Sequence, residues 1–520
     1  MFRYIAEKHP KDKDHDERTR RLQLLKSILD SKFYDVQTAP FHQERNYNNN
    51  EYISLRDRRP AVQYNLCKTV VRDSATILFG ADHFPAITSE DKAVQDWLKA
   101  VVTEARLPYH MVDAAIKGSI GSVCIVLRVL GKKGKPGKFF LEALNTIYMI
   151  PQFDPEDPET LISVKERYKV SADQLKANGY VQDDVDSTDP ESAGWQMSST
   201  RYWVQREFTQ DEEILYRPLE HKLDEPIENR TFRRDEKKTV RHGLGFVPVL
   251  WVKNLPGGEN PDGMCTFEDV IDTQIEMDYQ LSQLGRGLKY SQDPTLMLRD
   301  VDETQGGIIK GEGALIVGPE GDAKLLEING RASAAVLEYV EHLRKYMLEV
   351  AHGSRINPEQ SSIPQSGKAM ELLNLSLIEL AGTLRLTYGE ALRRLLMMML
   401  EVAASRKVKV KGAPALSLSA DSLDSIELNF IWPPWYPPMA QDRFQDAQAI
   451  AALKQVNVLS TQAAVEYVAP EYDVADPQEE LSRVEKERTE QQAHEKALKS
   501  GGPDNAGRTN PAKLNNQHAA

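Results

Sequence analysis

TFEDVIDTQIEMDYQLSQLGRGLKY (266–290) and ASAAVLEYVEHLRKYMLEVAH (332–352) decide how this chain is read. The first places Met277, Leu281, Leu284 and Leu288 at helical spacing, with Glu268, Asp269 and Asp272 early and Arg286 and Lys289 late, as the helix dipole favours. Such a helix spans about 37 Å at the usual rise per residue. The second segment repeats Val336, Val340, Leu343, Met347 and Val350 at the same period. Between them GGIIKGEGALIVGPEGDAKLLEI (306–328) is Gly-rich and β-prone, so two long helices flank a small β insertion. Downstream, GSRINPEQSSIPQS (353–366) is polar, and Pro358 and Pro364 forbid regular helix. From about Gly367 to Ser405 one longer helix follows, apolar on most faces. It carries more apolar surface than one chain of this size covers, which predicts self-association.

Outward from that centre, YNLCKTVVRDSATILFG (64–80) puts Leu66, Val70, Val71, Ile77 and Leu78 on one broad stripe, and Gly80 stands where a helix stop is wanted. A second helix is expected over Ser89 to Ala105 with Ser89 as N-cap, and a third over Tyr109 to Lys117. SVCIVLRVL (122–130) and KFFLEAL (138–144), joined by GKKGKPG, predict a hairpin. Further strands are expected at 162–169, 200–208 and 246–252, with an acidic surface loop at 181–195. Residues 1–60, rich in charge and Asn, read as an exposed arm with helical pieces, with order beginning after Pro60. At the other end come short strands between Val408 and Phe430 and a rigid extended linker, WPPWYPPM (432–439). Helices are expected over 447–456 and 460–467, then a charged helical pattern over 471–496 and a disordered tail from 498.

At 520 residues the chain holds about three structural units. Its net charge of −13 argues against tight wrapping of nucleic acid, which requires cations to neutralise phosphates. Cys67, Cys124 and Cys265 are odd in number and widely spaced, so neither a disulfide framework nor a zinc site is suggested and a reducing compartment fits. The N-terminus lacks the apolar core of a secretion signal, and no run of about 18 uncharged apolar residues exists. A soluble protein made and kept in the cytoplasm is the expectation.

Catalytic patterns fail one by one. SGKAM (366–370) has Ser362 and Ala369 where a phosphate loop needs Gly and Ser or Thr. GEGALIVG (311–318) lacks the dinucleotide glycine spacing. His342 follows Glu338 at the wrong interval for a di-metal bundle, and Asp183, Asp184 and Asp186 lack the later Gly and Glu of a calcium loop. No nucleophile elbow or zincin motif is present, so the chain reads as non-enzymatic and without a cofactor.

The order of parts resembles the portal protein of tailed bacteriophages, of the siphovirus type, over about 60–490. The resemblance is carried by YNLCKTVVRDSATILFG (64–80), FEDVIDTQIEMDYQLSQL with DPTLML (267–284, 293–298), and SGKAMELLNLSLIELA (366–381). WPPWYPP leading into AIAALKQVNVLSTQAAVEYV (449–468) completes the series. It implies an α+β, mostly helical fold: an N-terminal arm (1–60), an α/β wing (61–262), stem helices (263–291 and 329–352) and a β-rich clip (292–328). A tunnel loop (353–366), a tunnel helix (367–405), wing strands with the Pro-rich linker (406–439), a crown (440–497) and a disordered tail (498–520) follow.

The resemblance further implies a ring, usually dodecameric, at one capsid vertex, assembled in the host cytoplasm. Double-stranded DNA passes through it during packaging and ejection and is held only weakly and without sequence preference. The large terminase, a head-to-tail connector or adaptor, and the major capsid and scaffold proteins are the other expected partners, with no membrane. Arg355, Asn357, Gln360, Ser361, Ser362, Gln365 and Lys368 are the candidate DNA-channel residues. Lys310, Glu312, Glu320 and Lys324 are the candidates for docking the terminase at the clip. A head-completion adaptor or minor head protein is the rival reading, and a DNA-processing enzyme a more distant one.

Overall fold

The computed structural model describes residues 14–34, 62–80, 82–130, 137–180, 201–222, 227–292, 295–299, 322–326, 331–354, 367–406, 408, 410–413, 416, 423, 426–456, 458–468 and 480–490. The chain divides into two compact units, one formed by 1–362 with 370–436, the other by 363–369 with 437–520. Helix and strand are mixed, and every strand pair of the described sheets runs antiparallel, the signature of an α+β chain.

The first unit opens with α1 (Glu17–Leu29), capped by the Asp16 carboxylate, which accepts from the Thr19 N–H. Leu22 and Leu25 are fully buried. The expectation that all of 1–60 is an exposed arm is therefore corrected for 14–34. Leu22, Leu25 and Ile28 recur every three residues, a stripe that the surrounding charge hides. Arg18 fixes the helix through a forked pair with buried Asp262, at 2.6 and 2.8 Å, and a bond to the Met149 carbonyl. Such a fork is among the stronger polar contacts a protein makes.

Helix α2 (Leu66–Phe79) ends at Gly80, whose position over the Thr76 carbonyl leaves no room for a Cβ. Strand β1 (Ala86–Thr88) leads into α3 (Lys92–Glu104), which is capped by Asp91 through the Ala93 N–H, not by Ser89. Helix α4 (Leu107–Gly118) follows. Strands β2 (Ser122–Leu130) and β3 (Lys138–Asn145) form the expected pair in the register Val123 to Asn145; the turn residues 131–136 lie outside the described ones. The β2 run is continuously apolar because both faces are covered: Val123, Ile125 and Leu127 join the main core, while Cys124 and Val126 join a second cluster with Met149, Val164 and Phe208.

Beyond it β4 (Met149–Phe153), β5 (Leu161–Ser171), β6 (Arg201–Phe208), β7 (Glu212–Leu215) and β9 (Val240–Arg241) lie side by side in that order, with β8 (Leu219–Glu220) beside β6. Helix α5 (Ala172–Ala177) follows β5 under a Ser171–Gln174 capping box. The short β4, β7, β8 and β9 were not expected, since two to five residues give no readable alternation. The acidic stretch 181–195 lies outside the described residues. Strand β10 (Val249–Lys253) pairs with the free edge of β2.

Helix α6 (Ile271–Gln292) and α7 (Arg331–Val350) pack together, joined through the antiparallel pair β11 (Thr295–Arg299) and β12 (Asp322–Leu326). The long apolar helix is two pieces, α8 (Gly367–Leu373) and α9 (Leu375–Ser405), broken at buried Asn374, whose side-chain amide donates to the Met370 carbonyl. In α9 Tyr388, Leu392, Leu396, Met399 and Leu400 are wholly buried against α2, α4 and β10. Each leucine contributes on the order of 2 kcal/mol. The expectation that this helix outruns its own chain is thus corrected for its C-terminal part; Leu372, Leu375 and Leu386 remain exposed. Strand β13 (Asn429–Ile431) pairs with β1. In the second unit, α10 (Ala440–Gln455) and α11 (Thr461–Val468) follow, the latter after Ser460, whose Oγ accepts from the Ala463 N–H.

Candidate functional site

Two places in the first unit fix segments that the sequence reading assigns to function. The first is a polar ladder on α6, where Gln274, Asp278 and Ser282 recur every fourth residue and so share a face. All three are buried. The Tyr34 hydroxyl donates to Asp278 Oδ2 at 2.9 Å, while the Tyr64 N–H and Gln274 Nε2 donate to Oδ1 at 2.7 and 2.9 Å. Ser282 Oγ accepts from the Val62 N–H, and Gln274 Oε1 accepts from the Leu66 N–H. The chain on either side of 35–61 is thus pinned to one helix. Burial pushes the Asp278 carboxyl up to about 6, against the pull of its three donors. Sequence reasoning took the apolar positions of this helix and missed the ladder, although its spacing of four was legible.

The second place brackets 355–366. Two residues past α7, His352 is left-handed with a φ of 53°, and Gly353 then passes so close to α2 that a Cβ would sit 2.7 Å from Leu348 and 3.0 Å from Val70. Ser354 Oγ donates to Asn374 Oδ1 at 2.7 Å, tying together the residues before and after the polar segment. The candidate channel residues Arg355, Asn357, Gln360, Ser361, Ser362 and Gln365 lie outside the described residues. Lys368 falls in the first turn of α8. Of the candidate docking residues, Lys310, Glu312 and Glu320 lie outside, and Lys324 stands on β12 opposite Met297. Nothing in the described structure brings these two groups together.

Nearby, Arg385 of α9 lies between Trp432 and Trp435, with ring centres 4.2 and 3.5 Å from its guanidinium carbon. Burial holds its pKa down to about 10. Its Nε and Nη2 are buried with no acceptor among the described residues. The Pro-rich stretch is therefore not only a spacer: Trp432 packs on Phe79 and Phe430.

Among the described residues no group of three or more His, Cys, Asp or Glu is placed to hold a metal ion. Cys67, Cys124 and Cys265 are buried free thiols, and burial pushes each of them up. Among the described residues, no helix is long and apolar enough to cross a membrane. No curated protein matches the chain. A family model described as phage portal protein, SPP1 Gp6-like, matches residues 8–494. It takes in α1, which the charge pattern sets apart, as well as α6, the β11–β12 pair, α7, α9, α10 and α11, so the chain belongs to the phage portal protein family, a structural component of the virion concerned with genome packaging.

Proposed function

We propose that copies of this chain close head to tail into a ring at one capsid vertex, through which double-stranded DNA enters during packaging and leaves at ejection. The observation that carries this reading is the succession α6, antiparallel strand pair, α7, then a polar segment tied at its ends by Ser354 and Asn374. In it, 263–291 and 329–352 are stem helices, 292–328 the clip, 353–366 the tunnel loop and 367–405 the tunnel helix, interrupted at Asn374. Residues 61–262 with 406–439 form the wing and 440–497 the crown. The clip docks the large terminase, which supplies the ATPase, and later the head-to-tail connector. The ring itself does no chemistry. An acidic chain repels phosphates enough to keep friction with passing DNA low.

Sedimentation of the purified chain at micromolar concentration tests the ring; monomer and dimer alone, in several salts, would sink it. The channel role is tested by replacing Arg355, Gln360 and Gln365 together with Ala. Rings should still form, because exposed substitutions cost about 0.5 kcal/mol or less, and packaging or retention of DNA should change. A variant that fills and keeps its genome like the parent removes the loop from the channel.

A further inference from the structure

Strand β10 (Val249–Lys253) ends its sheet and pairs with β2 on one side only. The ladder is framed by Pro248, whose carbonyl accepts from the Leu127 N–H, and by Asn254, whose N–H donates to the Gly121 carbonyl. Alternate residues of an antiparallel strand bond to the same neighbour, so Val249, Trp251 and Lys253 turn their peptide groups away from β2. The Val249 N–H donates to the Val247 carbonyl at 2.7 Å. Among the described residues, the Val249 carbonyl and the N–H and carbonyl of Trp251 have no hydrogen-bond partner. A strand edge left in this state is a template for another strand.

That edge is the floor of an open slot of about 390 Å³, lined by Val249, Leu250 and Trp251 but by no residue of β2. One wall is α9, with Met397 and Met398, and the other is the end of β4 and the start of β5, with Phe153 and Leu161. The side chains of β10 alternate between the same two layers: Leu250 and Val252 join the core that holds α9, Val249 and Trp251 the cluster that holds β5. A strand laid on this edge is covered on both faces, which calls for an unbroken apolar run such as β2 has. Arg394 on one wall reaches Glu159 on the other at 2.7 Å and closes one end, and Arg393 is held by Glu390. Glu401, two turns further along α9, is exposed and, among the described residues, has no hydrogen bond or ion pair, so the charge left open in the slot is negative. From Arg394 to Glu401 the wall is about 10 Å long, the reach of about three extended residues. We infer that this slot docks an extended segment of another protein by strand addition to β10, with about three consecutive apolar residues between the two walls and a Lys or Arg beside them that meets Glu401. The main-chain bonds to Val249 and Trp251 supply affinity, and the flexible, polarisable methionines adapt to different apolar side chains. The site stands apart from the ring reading.

A fluorescent peptide of three valines between two lysines tests this on the full chain by anisotropy, beside the same peptide N-methylated at all three valines. The first should bind and slow hydrogen exchange over 249–253 at least about tenfold. The second should bind at least about tenfold more weakly, because it has lost the N–H groups that pair with the edge. Glu401→Gln, an exposed substitution that leaves folding intact, should weaken the unmethylated peptide about threefold. No binding up to about 1 mM, or equal binding of the N-methylated peptide, overturns strand addition. Equal binding to Glu401→Gln overturns the charge match that selects the partner. Exchange over 249–253 that is already slow in the dissociated protein means that the chain fills its own slot, and slowing on self-association alone means that a second copy does; either result overturns docking of another protein.

Discussion

Asp278→Asn separates charge from hydrogen bonding at the α6 ladder. In the parent, the folded carboxyl loses its proton near 6 and the unfolded one near 3.8. Between those values the folded state holds more protons, so stability falls as pH rises through the window and is level above it. The ionised form therefore costs the fold on the order of 3 kcal/mol at pH 7.5, of which about 2 kcal/mol is relieved by pH 4.5. Asparagine removes this dependence. Its Oδ1 still accepts from Tyr64 and Gln274, while the Tyr34 hydroxyl loses its acceptor at a cost of about 1 kcal/mol. Denaturant unfolding of parent and variant across that pH range, followed as the difference between them, cancels the other titrations. The difference should move by about 2 kcal/mol in the parent's favour as pH falls. A difference that stays constant with pH means that Asp278 ionises freely and that the ladder is not closed as described.

Arg18→Ala leaves Asp262 as a buried carboxylate without its fork and should cost about 3 kcal/mol or more, read as a lowered unfolding midpoint; an unchanged midpoint would return α1 to the status of a loose arm. Gly353→Ala should cost about 1–3 kcal/mol through the contacts with Leu348 and Val70, and a variant as stable as the parent would mean that α2 gives way there. Arg385→Met should stay within about 1 kcal/mol of the parent, because losing two ring contacts is offset by removing a guanidinium edge that has no acceptor among the described residues. Trp432→Ala, by contrast, should cost about 3 kcal/mol, since it empties the space between Phe79, Phe430 and Arg385.

The elements legible in the sequence are those whose apolar pattern is long enough to repeat. Leu66–Phe79, Ile271–Gln292 and Arg331–Val350 show several periods and Ser122–Leu130 an unbroken apolar run, and each forms within a few residues of its expected place. What escaped was written in single residues. Asp91 rather than Ser89 caps α3 because its carboxylate reaches the Ala93 N–H, a choice that spacing alone leaves open. The break at Asn374 is one polar residue in a run of leucines, and its reason, a bond from Ser354 twenty positions earlier, is tertiary. For α1 it was the burial and not the helix that composition hid: the leucines lie among charges, yet the charges Arg18 and Arg21 are themselves the anchors, to Asp262 and Glu268.

These misses share a direction that bears on the ring. Arg18 falls in a stretch that reads as an exposed arm and Gln274, Asp278 and Ser282 carry no role in the sequence reading, whereas all four work inside the fold, tying residues 14–34 and 62–66 to the strands and to α6. The rule behind this is that burial belongs to the folded state and not to the residue type. It applies equally to the exposed Leu372, Leu375 and Leu386 of α8 and α9. Under the ring proposed above they are the candidates for contact between copies, so closure of the ring should strengthen as temperature rises from the cold, as apolar association does.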